Sequence, residues 1–363
     1  MAGVAVLVLN SGSSTLKYAV IDPSRAAEAQ RGVVGPGDLP SVLALVDMAS
    51  LSAVGHRIVH GGPRFTRPTL IDDAVLQAIR DLVPLAPLHN PAGIEGIEAA
   101  RAALPDLPQV AVFDTAFHYT LPDPAATYAI DRELARRLHI RRYGFHGTSV
   151  RYVSERTAAL LNRPLRELNT IVLHLGNGAS ATAVEGGVSV DTSMGFTPLP
   201  GLVMGTRGGD VDPGLLLYLN RELGLTVDEL DELLNHHSGL SGLSGDADMR
   251  AVSQRRAAGD QVARLAFDVY CHRIRSYVGA YHAVLGRLDA VVFTAGVGEN
   301  SAEVRANSLI GLEGWGIVVD PSRNAAGTGD RVISPPGTTV TVLVVPTDEE
   351  LAIARDVLTL LAR

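Results

Sequence analysis

With 363 residues, 46% hydrophobic and 19% charged, the chain is long enough for two domains with a large buried core and too apolar for general disorder. A formal net charge of -8, with no long basic run, excludes nucleic acid as an expected partner. The single cysteine, Cys271, excludes an internal disulfide and a cysteine-based metal site; the first apolar run is too short for a bilayer and has no basic start, so a cytoplasmic enzyme without membrane partners is expected.

Taken in order, an apolar run from Val4 to Leu9 stops at Asn10-Ser11-Gly12-Ser13-Ser14, and a second runs from Leu16 to Ile21, which predicts a β-hairpin. Gly12 allows close backbone approach. Asn10, Ser13, Ser14 and Thr15 offer neutral polar groups, suited to phosphate or hydrated metal as well as to a plain solvent-facing turn. Lys17, in this hairpin, is the only lysine; every other basic residue is Arg. A compact ammonium kept at one place points to a phosphate contact. Asp22 to Pro40, rich in Gly, Pro, Ala and charge, reads as a loop with little structure of its own. Ala53 to Val59 reads as a strand with Arg57 and Val59 on one face. Arg57, just ahead of His60-Gly61-Gly62, is a candidate anion binder or salt-bridge partner. Asn90 is placed to cap, and Pro91 to open, a helix to about Leu104, with His89 just outside it. Val110 to Phe113 predicts a short strand ending in Asp114, a carboxylate at a position where α/β enzymes keep function, or a turn former.

His146 stands close to the start of an amphipathic helix, about Ser149 to Leu161, where backbone amides favour negative charge. No second histidine or carboxylate is spaced beside it for a metal. A domain boundary is expected near this point. Thr170 to Leu175 then runs into Gly176-Asn177-Gly178-Ala179-Ser180. The stretch Asp191 to Gly201 is too rich in Gly and Pro for a helix and leads to Gly205-Thr206-Arg207-Gly208-Gly209. With no bulky neighbours, Arg207 can reach a transferring phosphoryl group. Asp212-Pro213 starts a helix, Thr226 caps another to His236, and Asp246 to Arg250 looks like a third helix start. Asp260 to Leu285 is a long amphipathic helix whose aromatic positions suit a core or a dimer face, with Cys271 in the core. Ala290 to Phe293 ends in a turn, Gly296-Val297-Gly298-Glu299-Asn300, before a helix from Ser301. After the last strand, Val340 to Val345, Thr347 and Glu350 are expected to form a capping box that leaves Glu349 free at the start of a helix to Leu361. Three buried strands that each end in a Gly-rich polar turn suggest one nucleotide held from several sides.

The segments VLNSGSSTLKY, GHRIVHGG, LAPLHNPAG, FDTAFH, YGFHGTS, HLGNGAS, DTSMGFTPLPGLVMGTR, SGLSG with DMR, FTAGVGEN and PTDEELAIARD resemble, in order and over most of the chain, the successive motifs of the acetate kinase family. That family belongs with sugar kinases, actin and the heat-shock ATPases. The resemblance implies an α/β fold of two related ribonuclease H-like (actin-like ATPase) domains with an interdomain active-site cleft. It implies an N-terminal domain over 1–148, a C-terminal nucleotide-binding domain over 149–349, and a final helix, 350–363, packed back on the first. The implied activity is reversible, Mg²⁺-dependent, in-line transfer of the ATP γ-phosphoryl group to acetate, giving acetyl phosphate and ADP, by a homodimer. Such an acceptor is already ionised and needs its charge offset rather than a base, which suits two arginines and a histidine. Propionate or butyrate as acceptor, or a sugar or polyol kinase using Asp114 as base, are the alternatives.

Residue by residue, the resemblance assigns Arg57 to the substrate carboxylate and Arg207 with His146 to the transferring phosphoryl oxygens. Asp114 would orient Arg57 or a metal-bound water. Asn10 and Glu349 would hold Mg²⁺, with Mn²⁺ as the alternative metal. Ser13, Thr15 and Lys17 would meet the phosphates. His174, Leu175, Gly176, Asn177 and Gly178, then Asp248, Met249 and Arg250, and then Gly296, Val297, Gly298, Glu299 and Asn300 would bind ATP or ADP. Val59, Leu88, Phe145 and Pro198 would line the pocket for the acetate methyl and leave little room for longer chains. The chain departs from the family in two places: Val150 follows Ser149 where the family carries histidine, and the region after Ile21 is shortened.

Overall fold

The computed structural model describes residues 5–11 and 15–362. Val4 and the centre of the first expected turn, Gly12, Ser13 and Ser14, lie outside them. The chain divides into two compact units, one comprising the chain up to Tyr119, Phe145–Tyr152 and the segment from Asp348, the other Thr120–Gly144 and Val153–Thr347. A division at 148/149 would have put Thr120–Gly144 in the first domain. That segment clusters with the second unit because Arg142 donates to the carbonyls of Thr192, Ser193 and Met194, and the amides of Tyr143 and Gly144 donate to Gly195.

Each unit is built on a six-stranded sheet. The first contains β1 (Ala5–Ser11), β2 (Leu16–Ile21), β3 (Gln30–Val34), β4 (Leu51–Ile58), β5 (Thr69–Leu70) and β6 (Gln109–Phe113), in the order β3-β2-β1-β4-β6-β5. The second contains β7 (Asn169–Leu175), β8 (Ala179–Glu185), β9 (Val188–Thr192), β10 (Ala290–Thr294), β11 (Arg331–Val332) and β12 (Thr341–Val344), in the order β9-β8-β7-β10-β12-β11. In both, an antiparallel three-strand meander leads into two parallel strands and ends on a short antiparallel one. The topologies are identical strand for strand, as two related domains require.

Continuous apolar runs become central strands because both faces are covered. On β1, Leu7 and Leu9 pack with Leu16, Tyr18, Val54 and Ala100 on one side, while Val6 and Val8 pack with Ile21, Val110, Ile353 and Val357 on the other. The second group includes the final helix, Glu349–Leu361, which belongs to the first unit. Gly55 in β4 admits this helix: a Cβ there would lie 2.9 Å from Ile353 and from Val357.

Three local expectations are corrected. Residues 22–40 are no loop: a 3-10 segment, Pro23–Glu28, precedes β3, and a helix, Leu39–Leu45, follows under an Asp38 cap. The polar sequence of β3 escaped notice because it is an edge strand, stabilised by pairing with β2 rather than by burial. Asn90 does not cap the helix Asn90–Ala103; its side chain accepts from the amide of His60 and donates to the same residue's carbonyl. The Thr347–Glu350 box gives way to Asp348, whose Oδ1 caps the amide of Leu351 at 3.0 Å.

Candidate active site

In the first unit, β1, β4 and β6 run parallel, so their C-terminal ends lie along one edge of the sheet. That edge carries Asn10 near the end of β1, Arg57 near the end of β4 and Asp114 directly after β6. Arg57 donates from Nε to Asp114 Oδ1 at 3.1 Å, from Nη2 to Asp114 Oδ2 at 2.5 Å and from Nη1 to Asn10 Oδ1 at 3.1 Å. Glu349 Oε2 stands 3.6 Å from Nε. Burial works against the charge of Arg57, but Asp114 and Glu349 more than offset it, so the guanidinium is held above its ordinary range. Both oxygens of Asp114, itself 1% exposed, are engaged by this one guanidinium.

Glu349 faces Arg57 while its neighbours turn elsewhere. Arg31 of β3 donates to Asp348 at 2.7 Å and to Glu350 at 3.1 Å. Asn10 and Glu349 both turn an oxygen towards Arg57. Among the described residues no group of three or more His, Cys, Asp or Glu gathers as a protein-only metal cage.

His146 precedes the helix Gly147–Leu160 with a positive φ of 58°, and the amide of Gly147 donates to the carbonyl of Asp114 at 2.9 Å. The helix start is thereby tied to the end of β6. Phe145 is buried, edge-on to His60 at 5.6 Å between ring centroids, and its carbonyl lies 2.8 Å from Nε2 of His118, which must carry the proton there. Burial lowers the His118 pKa to about 4 and keeps the ring neutral. Val59 is partly buried after β4, whereas Leu88 is 45% exposed. Thr15 is partly buried and Lys17 exposed, opposite Asn10 in the β1/β2 pairing. Ser13 lies outside the described residues.

In the second unit, Gly176, Asn177, Asp248, Met249, Arg250, Gly296, Val297 and Asn300 line one cleft of about 1090 Å³. Gly296 to Asn300 is a helical turn, Ala295–Asn300, at the end of β10, rather than an irregular turn. His174, Leu175, Gly178, Gly298 and Glu299 do not line the cleft. His174 and Leu175 are buried in β7, Gly178 closes the turn by accepting from Gly176, and Glu299 accepts from the amide of Thr347.

Sequence reasoning missed further lining residues. Ser253, Gln254 and Ala257 share the cleft with Arg250, and the spacing 250, 253, 254, 257 is one face of the helix Met249–Ala257. It also missed Arg305, 1% exposed, which donates to the carbonyls of Gly298 and Glu299, both at 2.9 Å, and to Asn324. Burial, with Arg331 nearby, lowers its pKa to about 10. A buried cation bound mainly to carbonyls fixes the turn at the end of β10; nothing local in the sequence announces it.

Arg207 occupies the irregular stretch after β9. The amide of Gly205 donates to the carbonyl of Asn177 at 3.0 Å, which brings the Arg207 loop to the rim of the cleft. The guanidinium donates from Nη1 to the carbonyl of Pro198 at 2.9 Å, and burial lowers its pKa. Among the described residues no carboxylate pairs with it. Arg57 is thus held by carboxylates, while Arg207, partly buried, donates to a backbone carbonyl.

A family model described as the acetokinase family matches residues 38–355. The chain is 54% identical to an acetate kinase of Streptomyces coelicolor over 391 aligned positions, covering 98% of this chain and 96% of that protein. An acetate kinase of Leifsonia xyli is also 54% identical, with 98% of each chain covered. Among solved structures, Porphyromonas gingivalis acetate kinase superposes with a TM-score of 0.92 at 39% identity, covering 98% of this chain and 99% of that one. A propionate kinase from Francisella tularensis gives 0.89 at 42% identity, covering 97% and 98%.

Proposed function

We propose that this chain, which belongs to the acetokinase family, transfers the γ-phosphoryl group of ATP to acetate, reversibly and in line, giving acetyl phosphate and ADP. Within that family reading, the observation that carries the choice of acceptor is the engagement of both Asp114 oxygens by Arg57. An alcohol acceptor requires a carboxylate able to take its proton, whereas a carboxylate acceptor requires cations. Asp114 is spent on orienting Arg57, and Arg207 has no acid partner among the described residues.

In this reading Arg57 meets the acetate carboxylate, and Arg207 and His146 stabilise the equatorial oxygens of the phosphoryl in transfer. Val59, Leu88, Phe145 and Pro198 shape the acyl pocket. Thr15 and Lys17 meet phosphate oxygens, as does Ser13. The cleft lined by Asn177, Met249, Arg250 and Gly296 takes the nucleoside, with His174 and Glu299 behind it. Asn10 and Glu349 are the residues that would hold Mg²⁺ or Mn²⁺. When bound, the ion would neutralise charge on the β- and γ-phosphate oxygens.

A cytoplasmic homodimer belongs to the same proposal. The helix Pro213–Leu223 supports the dimer, since none of its residues is buried although Leu217, Tyr218 and Leu223 are apolar and more than half exposed. Light scattering at twice the chain's mass is the expected result; the monomer mass would remove the dimer from the reading.

Trapping acyl phosphate with hydroxylamine tests the activity, using ATP and Mg²⁺ across formate, acetate, propionate and butyrate, with Arg207→Ala beside the natural chain. Hydroxamate formed best from acetate and lost in the variant is the expected outcome. No hydroxamate from any acid, despite ADP binding, would refute the proposal.

A further inference from the structure

Arg207 sits in an irregular stretch, yet a group that meets a phosphoryl in transfer has to be held within a fraction of an ångström. The segment from Gly201 to Asp210 is closed into a ring by two hydrogen bonds between its ends. The amide of Asp210 donates to the carbonyl of Gly201 at 3.1 Å, and the amide of Gly201 donates to Asp210 Oδ1 at 2.8 Å. Glycine is required at one closing point and beside the other: φ is 104° at Gly201 and 75° at Gly209, and a Cβ on Gly209 would come within 2.4 Å of the Gly201 carbonyl oxygen. Inside the ring the amide of Met204 donates to the carbonyl of Arg207 at 2.9 Å.

The other oxygen of Asp210 leads out of the ring. Tyr277, in the 25-residue helix Gln261–Leu285, donates its hydroxyl to Asp210 Oδ2 at 2.7 Å. Burial raises the Tyr277 pKa, with the hydrogen bond to Asp210 and its charge acting in the same direction, so the phenol stays a donor. Arg273, on the same helix, stands 3.9 Å from that oxygen. One oxygen therefore shuts the loop and the other moors it to a helix whose inner face is core.

We infer that Asp210, anchored by Tyr277, is a positioning residue for Arg207. The inference rests on Arg207 acting on the phosphoryl group. Its signature is loss of turnover with nucleotide binding largely kept, because Gly205 is the one residue of the ring that lines the cleft, beside seventeen lining residues outside it.

The experiment compares Asp210→Ala, Asp210→Asn, Tyr277→Phe and Arg207→Ala by kcat and KM in the hydroxamate assay, ADP affinity by calorimetry and melting by circular dichroism. Asn keeps an acceptor for the Gly201 amide and an NH₂ that can donate to the Tyr277 oxygen, so it serves as the rescue. We expect Asp210→Ala to lose about a hundredfold in kcat and Tyr277→Phe about tenfold, with ADP affinity within about twofold, and Asp210→Asn to recover to within about threefold of the natural chain. If Asp210→Ala does not fold, Tyr277→Phe, which deletes one hydroxyl, carries the test alone. An inactive Arg207→Ala beside fully active Asp210→Ala and Tyr277→Phe would overturn the inference. So would parallel losses of kcat and ADP affinity that Asn fails to repair. An active Arg207→Ala would instead refute the role of Arg207 itself.

Discussion

Arg57 and Arg207 carry the same guanidinium and differ in what surrounds it. Arg57 makes a fork-to-fork pair with Asp114 and reaches Asn10, so its geometry depends on planarity and on several N–H groups at once. A lysine keeps the charge but cannot span those oxygens. Arg57→Lys should therefore lower kcat/KM for acetate by about a hundredfold, in line with the loss of one or two charge-assisted hydrogen bonds, while ADP affinity is unchanged. Full activity in the lysine variant would show that charge alone suffices at this position.

Two buried histidines make stability depend on pH. Burial lowers both His56, whose Nε2 is 2.7 Å from Gln109 Oε1, and His118 to about 4, against an ordinary value of 6.5. Between these values the unfolded chain binds protons that the folded chain refuses, so stability rises with pH through the window and is lost as pH falls from about 6.5 towards 4. At full displacement each contributes on the order of 3 kcal/mol. His118→Gln, which can still donate to Phe145, should melt with a shallower dependence on pH over this range. Identical slopes for the natural chain and the variant would remove His118 as a source.

Among the elements, the final helix has most to lose from a small change. It lies on β4 at Gly55, where Ile353 and Val357 occupy the space a side chain would need. Gly55→Ala should destabilise the first unit by about 1–3 kcal/mol, the usual cost of overpacking. Glu349, the proposed metal residue, opens this helix, so turnover should fall with it. An unchanged melting temperature would mean that the helix shifts freely.

The elements also mark how far the sequence could be read. The starts and stops of β7 and β10 were legible to within a residue, because apolar runs break abruptly at polar, Gly-rich residues, whereas β1 runs on through Asn10 and Ser11, where a turn was expected. The long helix was legible from its amphipathic spacing, and Asp260, read as its first residue, turns out to cap it. Of the candidate site, Gly176–Asn177, Asp248–Arg250 and the turn Gly296–Asn300 were legible as local motifs, and Gly176, Asn177, Asp248, Met249, Arg250, Gly296, Val297 and Asn300 do share one cleft. Features that depend on distant partners were not legible. Glu350 left its expected capping box because Arg31, far away in the chain, pairs with it. Asn90 serves His60 instead of its own helix, and Arg305 finds its carbonyls only once the second unit is folded. The face formed by Arg250, Ser253 and Gln254 was readable from helical spacing alone.

Across the molecule, one topology is used twice for two tasks. Strands β1, β4 and β6 of the first unit correspond to β7, β10 and β12 of the second. At the ends of the first set stand Asn10, Arg57 and Asp114, a hydrogen-bonded polar cluster proposed above to meet the carboxylate and the metal. At the ends of β7 and β10 stand Gly176–Asn177 and the turn Ala295–Asn300, whose small side chains line the cleft proposed for the nucleotide. The duplicated sheet supplies position, and the residues that end each strand supply chemistry.

The central claim is that an acetate oxygen becomes bonded to the phosphorus transferred from ATP. ³¹P NMR of the product formed from ATP, Mg²⁺ and acetate labelled with ¹⁸O in both carboxylate oxygens tests it. The account requires an acetyl phosphate resonance carrying the isotope shift of one ¹⁸O bound to phosphorus. Unlabelled inorganic phosphate accumulating beside ADP, with no acetyl phosphate resonance, would contradict it.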